Sequence, residues 1–138
     1  SKQLNRLESL VSYTPNTPPL VHLASAGGII EMFTENAELN IQTDSSAWNI
    51  HGRNEIKTSV LSSRQQERAG MQVSITDPVF DFNKAGSIST LATVTARWES
   101  NPDIMVRILE FEWVKGERNQ WLISAIKTRK DLEWGNKL

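Results

Sequence analysis

The segment Phe33-Thr-Glu-Asn-Ala-Glu-Leu-Asn-Ile41 and the segment Trp48-Asn-Ile-His-Gly-Arg-Asn-Glu-Ile56 decide the fold. Apolar and polar residues alternate through the first segment, which predicts a half-buried strand over 37–43. The second segment contains a short strand that ends at Gly52, followed by a helix that we expect from Asn54 to about Ala69. A helix, a strand pair and a further helix therefore follow one another directly.

Two helices are predicted before this segment. Apolar residues spaced three and four apart form one stripe of a helix over 2–13, and the three prolines between 15 and 19 end it. A second helix begins at Pro18 or Pro19 with Thr17 as its N-cap, and extends to Phe33. Within it, Gly27-Gly28 predicts a kink, a break or a close packing contact, and the sequence leaves these three open.

The C-terminal half is predicted to form four strands over 71–82, 88–98, 104–115 and 121–127. We expect a bulge at Pro78, because the apolar positions change parity there. The polar run from Arg64 to Arg68, at the end of the third helix, is predicted to be solvated. This order of elements predicts an α+β fold in which a curved antiparallel sheet is wrapped around the N-terminal helices.

Composition excludes several classes of function. The 15 basic and 16 acidic residues nearly cancel, which argues against a nucleic-acid-binding surface. No apolar run approaches the roughly 18 residues that a membrane-spanning helix needs. The absence of cysteine excludes disulfides and thiolate chemistry, and two histidines without ligand spacing predict no metal site. We expect no cofactor, since no phosphate loop, nucleotide motif or nucleophile elbow is found.

A family resemblance rests on three short motifs. Phe33-Thr-Glu-Asn-Ala-Glu-Leu39 resembles the helix-to-strand step of the nuclear transport factor 2-like (cystatin-like, SnoaL-like) superfamily. His51-Gly-Arg-Asn-Glu-Ile56 resembles its glycine turn into the third helix, and Trp121-Leu-Ile123 resembles its closing strand. The resemblance covers about residues 20–127. It implies a cone-shaped half-barrel with a pocket between sheet and helices, and a homodimer through the outer face of the sheet.

The resemblance suggests domain limits and a location. We expect an N-terminal helix or linker over 1–16, the superfamily domain over 17–130 and a C-terminal tail over 131–138. The charged segment Lys2-Gln-Leu-Asn-Arg6 resembles a linker helix that follows a membrane anchor in some members. Because the chain begins with Ser1, we expect a segment upstream, and a periplasmic or anchored extracytoplasmic location is favoured over the cytoplasm.

The superfamily includes isomerases, cyclases, epoxide hydrolases, dehydratases and transport adaptors, so the fold alone does not give a function. Isomerase chemistry would need a carboxylate near the first strand, where this chain has Asn40 and Ile41. A SnoaL-like cyclase would use an acid and a histidine, for which Asp44 and His51 are the candidates. A turn residue and a solvated histidine are the more common roles for these two positions.

A ligand pocket is predicted on the inner face of the longest strand. Arg107 is the candidate pocket charge, with Asp81 and Glu110 as candidate partners, as in the acid–arginine–acid cluster of the epoxide-hydrolase branch. The alternative, a more common role for such a residue, is that Arg107 lies on the outer face of the sheet or pairs across an interface. Trp98, Phe111 and Trp113 are candidate wall residues, although core packing or a dimer face would also explain them.

The sequence thus favours a domain that binds a small apolar ligand or another protein, without catalysis. The alternative is a SnoaL-like enzyme (isomerase, cyclase or hydrolase type) that acts on a small hydrophobic substrate through Asp44 and His51. A third hypothesis is a dimerisation module whose pocket is filled by phenylalanine and tryptophan.

Overall fold

The computed structural model describes residues 1–43, 46–82 and 86–129, so the predicted tail over 131–138 lies outside the described residues. Three helices precede or interrupt the strands, and no described helix is long and apolar enough to cross a membrane. The elements in chain order are α1 (Lys2–Val11), α2 (Pro19–Ile30), β1 (Phe33–Gln42), β2 (Ala47–His51), α3 (Gly52–Gln66), β3 (Met71–Asp81), β4 (Ser87–Trp98), β5 (Asn101–Lys115) and β6 (Trp121–Thr128).

The strands form one curved, unclosed sheet in the order β2-β1-β6-β5-β4-β3. Four neighbouring pairs are antiparallel, as the meander predicts, but β1 and β6 are parallel. The last strand therefore lies inside the sheet, where it joins the N-terminal strand pair to the β3–β5 meander. The predicted α+β architecture, a curved sheet with the helices on its concave face, is confirmed.

The N-terminal helices pack closely on each other. α1 buries Leu4 and Leu7 in the core, and its first turn is capped by Ser1, whose Oγ accepts from the Leu4 N–H at 3.4 Å. α2 continues through both glycines. A Cβ built on Gly28 would lie 3.2 Å from Leu10 Cδ2, so this glycine marks a close packing contact between α1 and α2.

α3 differs from its prediction at both ends. It begins at Gly52 rather than Asn54, because Gly52 adopts a φ of 83° that suits the turn out of β2. The carboxylate of Glu55 accepts from the His51 N–H at 2.9 Å, which occupies one of the free donors at the helix start. Near the other end, Arg64 is 5% exposed, so the prediction that this residue is solvated is wrong.

The faces of the long strands follow the predicted alternation. On β4, Ala92 and Ala96 are buried, while Arg97 is on the outer face and exposed. The bulge in β3 is confirmed, because its pairing with β4 shifts between Thr76 and Val79. This shift places Phe80 opposite Thr90, on the same concave face as Val73 and Ile75, and leaves Val79 on the outer face.

Candidate ligand-binding cavity

A cavity of about 430 Å³ lies between α3, the end of α1 and the concave face of the sheet. Its size is within the range of small-molecule sites. Most of its wall is apolar. The lining residues come from the strands at both edges of the sheet and from the helices and the segments that follow them: Val11, Tyr13, Ile29, Leu39, Ile41, Trp48, Ile50, Ile56, Ser59, Val60, Ser63, Arg64, Gln66, Glu67, Met71 and Trp98.

The cavity adjoins a groove between β2 and α3. The groove and the cavity share the wall residues Trp48, Ile50, Ser59, Ser63 and Gln66. The indole of Trp48 is 44% exposed, which is unusual for so large an apolar side chain. The groove and the cavity therefore lie side by side, with Trp48 at the edge of both.

Arg64 is a buried cation in the cavity wall. Its Nη2 donates to the Leu10 carbonyl at 2.7 Å and to the Val11 carbonyl at 3.3 Å, at the C-terminal end of α1. Its Nη1 donates to Ser25 Oγ and to His22 Nδ1, the latter at 3.2 Å. The guanidinium carbon lies 4.8 Å from the centre of the Tyr13 ring, a cation–π contact. Arg64 thus ties α1, α2 and α3 together where they meet the cavity.

The neighbours of Arg64 have perturbed pKa values. Since a guanidinium cannot accept a hydrogen bond, His22 Nδ1 must be the acceptor, and the imidazole is neutral in this arrangement. Burial, and then the charge of Arg64, lower the pKa of His22. Burial and the carboxylate of Glu67 raise the pKa of Tyr13, although Arg64 opposes the shift. The Tyr13 hydroxyl donates to the Glu67 carbonyl at 2.5 Å.

Glu67 is the other charged residue in the wall, and its carboxylate is already satisfied. Oε1 accepts from the Ala69 N–H at 3.2 Å, and Oε2 accepts from Ser100 Oγ at 2.6 Å. Among the described residues, no group of three histidine or acidic side chains is arranged to hold a metal ion. The polar side-chain groups of the cavity wall are therefore hydroxyls, one amide, two indole N–H groups, Arg64 and Glu67.

The predicted aromatic wall residues are divided between the cavity and the core. Trp98 lines the cavity. Phe111 and Trp113 are buried in the core instead, stacked at a centroid distance of 6.4 Å, and the Trp113 indole N–H donates to Thr90 Oγ1 at 3.0 Å.

Arg107 lies on the concave face of β5, as the alternation predicts, but it is not in the cavity wall. Its guanidinium reaches the end of β1, where Nε donates to the Gln42 carbonyl at 3.1 Å. One candidate partner, Glu110, lies on the opposite face of β5 and forms an ion pair with Arg129 at 2.7 Å. Whether Arg107 contacts a ligand stays a prediction.

His51 is exposed at the junction of β2 and α3, outside the cavity wall. Its Nδ1 lies 3.4 Å from a carboxylate oxygen of Glu38, which is also exposed. Asp44 is outside the described residues. The acid–base pair of Asp44 and His51 therefore stays a prediction.

Sequence reasoning missed most of the cavity wall, including Arg64 and Tyr13. Arg64 follows Ile56 and Val60 at intervals of four, so it lies on the apolar face of α3. That spacing was the available signal, but the neighbouring polar residues concealed it. Tyr13 follows α1 in an extended segment that forms an isolated β-bridge with Met71, a tertiary contact that no local pattern shows.

No family model matches the sequence, and no curated protein matches it. A nuclear transport factor 2-like protein with a cystatin-like fold from Novosphingobium aromaticivorans superposes with a TM-score of 0.67 at 9% identity, covering 92% of this chain and 76% of that chain. A candidate scytalone dehydratase from the same organism gives a TM-score of 0.66 at 14% identity, covering 93% and 78%. A Catenulispora acidiphila protein in complex with S-DNPA gives 0.68 at 9% identity, covering 98% and 92%. These similarities concern the fold alone.

Proposed function

Starting from the cystatin-like fold that this chain shares with nuclear transport factor 2-like proteins, we propose that the domain binds a small, largely apolar molecule. The observation that carries the proposal is the cavity of about 430 Å³, with its apolar wall and the groove that adjoins it between β2 and α3. Concave apolar sites with a few polar groups are the usual form of small-molecule sites. The Catenulispora acidiphila protein, which was crystallised with S-DNPA, supports binding within this fold.

The test is thermal unfolding in the presence of a library of small apolar compounds, neutral and charged. A ligand that binds only the folded state stabilises it by about 2.7 kcal/mol at a hundredfold excess over Kd. We expect Ser59→Phe, which fills the cavity, to abolish the shift, and Gln65→Phe, on the exposed side of the same helix, to retain it. If no compound shifts the wild type, or if hits survive Ser59→Phe unchanged, the proposal is wrong.

The same assay addresses Arg107. Because Arg107 is bonded to the end of β1 and is not in the cavity wall, we expect Arg107→Ala to keep the ligand-induced shift. Loss of the shift in Arg107→Ala, in a variant that still folds, would restore the sequence-based prediction of Arg107 as a ligand contact.

A second candidate function is catalysis on a small hydrophobic substrate. It is favoured by one observation, the Tyr13 ring in the cavity wall next to Arg64, together with the fold shared with a candidate scytalone dehydratase. The Tyr13 hydroxyl is protonated at neutral pH, and its raised pKa makes it a weaker acid than an ordinary tyrosine. Its one O–H donates to the Glu67 carbonyl, so acid catalysis would require the hydroxyl to exchange that bond for one to the substrate. The test is mass spectrometry of the compounds that stabilise the protein, after incubation with it. Unchanged compounds favour a binding function, whereas chemical conversion that is lost in Tyr13→Phe favours an enzyme.

We also propose a homodimer through the outer face of the sheet. Ile104 and Val106 of β5 pair with outward-facing residues of β4, and Val79 does so further along the sheet. These side chains are 46%, 51% and 64% exposed. Light scattering tests the assembly: a dimeric wild type that becomes a monomer in Val106→Glu supports it, and a monomeric wild type overturns it.

A further inference from the structure

The charge of Arg64 has no anionic partner within the part of the chain that the structure describes. Four of its five N–H groups donate to neutral acceptors: two carbonyls, a hydroxyl and a neutral imidazole. No carboxylate oxygen of residues 1–43, 46–82 and 86–129 lies within 4.0 Å of its guanidinium. Buried ions are normally paired, because removing a charge from water is costly. The C-terminal end of α1, with its partial negative charge, and the face of the Tyr13 ring offset the charge of Arg64 in part.

The fifth donor of Arg64, its Nε–H, remains for a ligand. Within the described residues, Nε of Arg64 has no hydrogen-bond partner. In the same part of the chain, every buried side-chain nitrogen that is sealed from solvent does have a partner. Nε therefore borders accessible space, and Arg64 is a residue of the cavity wall. A donor of this kind, 5% exposed as a residue and charged, forms strong hydrogen bonds with carboxylate oxygens.

The rest of the cavity wall determines the chemical character of the ligand that bears the carboxylate. Its other walls are chiefly aliphatic and aromatic, so the body of the ligand is apolar. The second charged group is Glu67, whose two carboxylate oxygens already accept hydrogen bonds from Ala69 and Ser100. We therefore expect Glu67 to bind a cation less strongly than Arg64 binds an anion. We propose that the cavity binds an apolar molecule with one carboxylate, and that this carboxylate docks on Arg64. This inference rests on the proposed ligand-binding function.

The experiment compares matched ligands by isothermal titration calorimetry. Phenylacetate, cinnamate and octanoate are each titrated beside the primary amide and the amine of the same carbon skeleton, together with acid–amide pairs of the hits from the library. We expect the acid to bind about 10- to 100-fold more tightly than its amide, because a charge-assisted hydrogen bond replaces a neutral one. Arg64→Met removes this preference, whereas Arg68→Met, the same change at an exposed residue of the same segment, preserves it.

A second measurement keeps the test decisive if Arg64→Met does not fold. In heteronuclear NMR spectra of the wild type, the Nε–Hε resonance of Arg64 shifts when an acid binds and stays nearly unchanged with the matched amide. An acid that binds without moving this resonance contradicts the inference.

The outcomes separate the two proposals. If acids and amides bind equally, and both are excluded by Ser59→Phe, the cavity is a binding site but the carboxylate inference is wrong. If amines bind best, Glu67 rather than Arg64 selects the ligand, and the inference is wrong in the same way. If no skeleton binds in any form, both the binding function and this inference are overturned.

Discussion

The two ends of the concave face are built differently although the same strands run through both. At the closed end, one row of paired residues crosses four strands: Ile88, Trp113, Ile123 and Phe33. Three of these four side chains are almost completely buried. At the open end, about 33 Å further along β4, Met71 and Trp98 form a pair that borders the cavity. The closed end is packed with large side chains, and the open end is not.

The helices explain this difference. α1 and α2 place Leu4, Leu7, Ile29 and Met32 in the core that contains the closed end. α3 places Ser59, Val60 and Ser63 over the open end, and these residues are too small to fill the space. The third sequence-based hypothesis, in which phenylalanine and tryptophan fill the whole pocket, describes only the closed end. The closed end therefore supplies stability, while the open end provides room for a ligand.

The largest effect comes from truncating matched isoleucines at the two ends. Ile123 is 0% exposed at the closed end, and Ile41 lines the cavity on β1. We expect Ile123→Ala to lower the free energy of unfolding by about 2–5 kcal/mol. Ile41→Ala should cost clearly less, because its side chain already lacks packing partners on the cavity side. Urea denaturation measures both values, and equal losses would show that the cavity is not open space.

Enlarging side chains should have opposite effects at the two ends. Ala37 is completely buried on β1, so Ala37→Leu overpacks the core and should cost about 1–3 kcal/mol. Ser59→Leu extends into the cavity and places a better helix former in α3, so we expect no loss or a gain of about 1 kcal/mol. The readout is again the free energy of unfolding. A destabilised Ser59→Leu would contradict the comparison.

A smaller effect concerns the buried hydrogen bond at the closed end. Thr90 is 0% exposed, and its hydroxyl accepts from the Trp113 indole. Thr90→Val leaves that N–H without a partner, so we expect a loss of about 1–2 kcal/mol. Thr95→Val, on the outer face of the same strand, serves as the control and should change stability by less than about 0.5 kcal/mol. Similar values for the two variants would mean that this bond contributes nothing.

The smallest effect is a pH dependence near the open end. Burial and Arg64 lower the pKa of His22, so below its ordinary value of about 6.5 the unfolded chain takes up a proton that the folded protein does not. Stability from this group is therefore complete above about pH 6.5 and declines as the pH falls toward the folded pKa. His22→Asn keeps an acceptor for Arg64 but does not titrate. Urea unfolding between pH 7.5 and 5 should show a shallower decline for the variant, whereas parallel curves would refute the assignment.

The features of the fold that the sequence predicted are those that depend on local periodicity. The alternation along β4 and β5 identified the concave face, and the change of parity at Pro78 identified the bulge. Each of these patterns can be recognised within one short segment, because successive side chains of a strand alternate between its two faces.

The cavity could be predicted only in part, because its polar groups depend on contacts between remote segments. Trp98 was identified from the alternation of its strand, which is local. The burial of Arg64 depends on Leu10, Val11, His22 and Ser25, which lie 39 to 54 residues away in the chain. The alternation grouped Arg107 with Leu109 on one face of β5, but the bond of Arg107 to Gln42 depends on how β1 lies beside β6. Register between distant strands is not a property of either strand alone.

The position of β6 also has a consequence for how the chain acquires its structure. β6 lies between β1 and β5. Until residues 121–128 are available, the N-terminal part, which ends with α3, and the β3–β5 meander are therefore paired only through the isolated bridge between Tyr13 and Met71. During synthesis, these two parts leave the ribosome with unpaired edges on β1 and β5, which are surfaces that invite aggregation. Completion of the sheet must therefore wait until translation has passed this strand, and such non-local pairing makes folding slow.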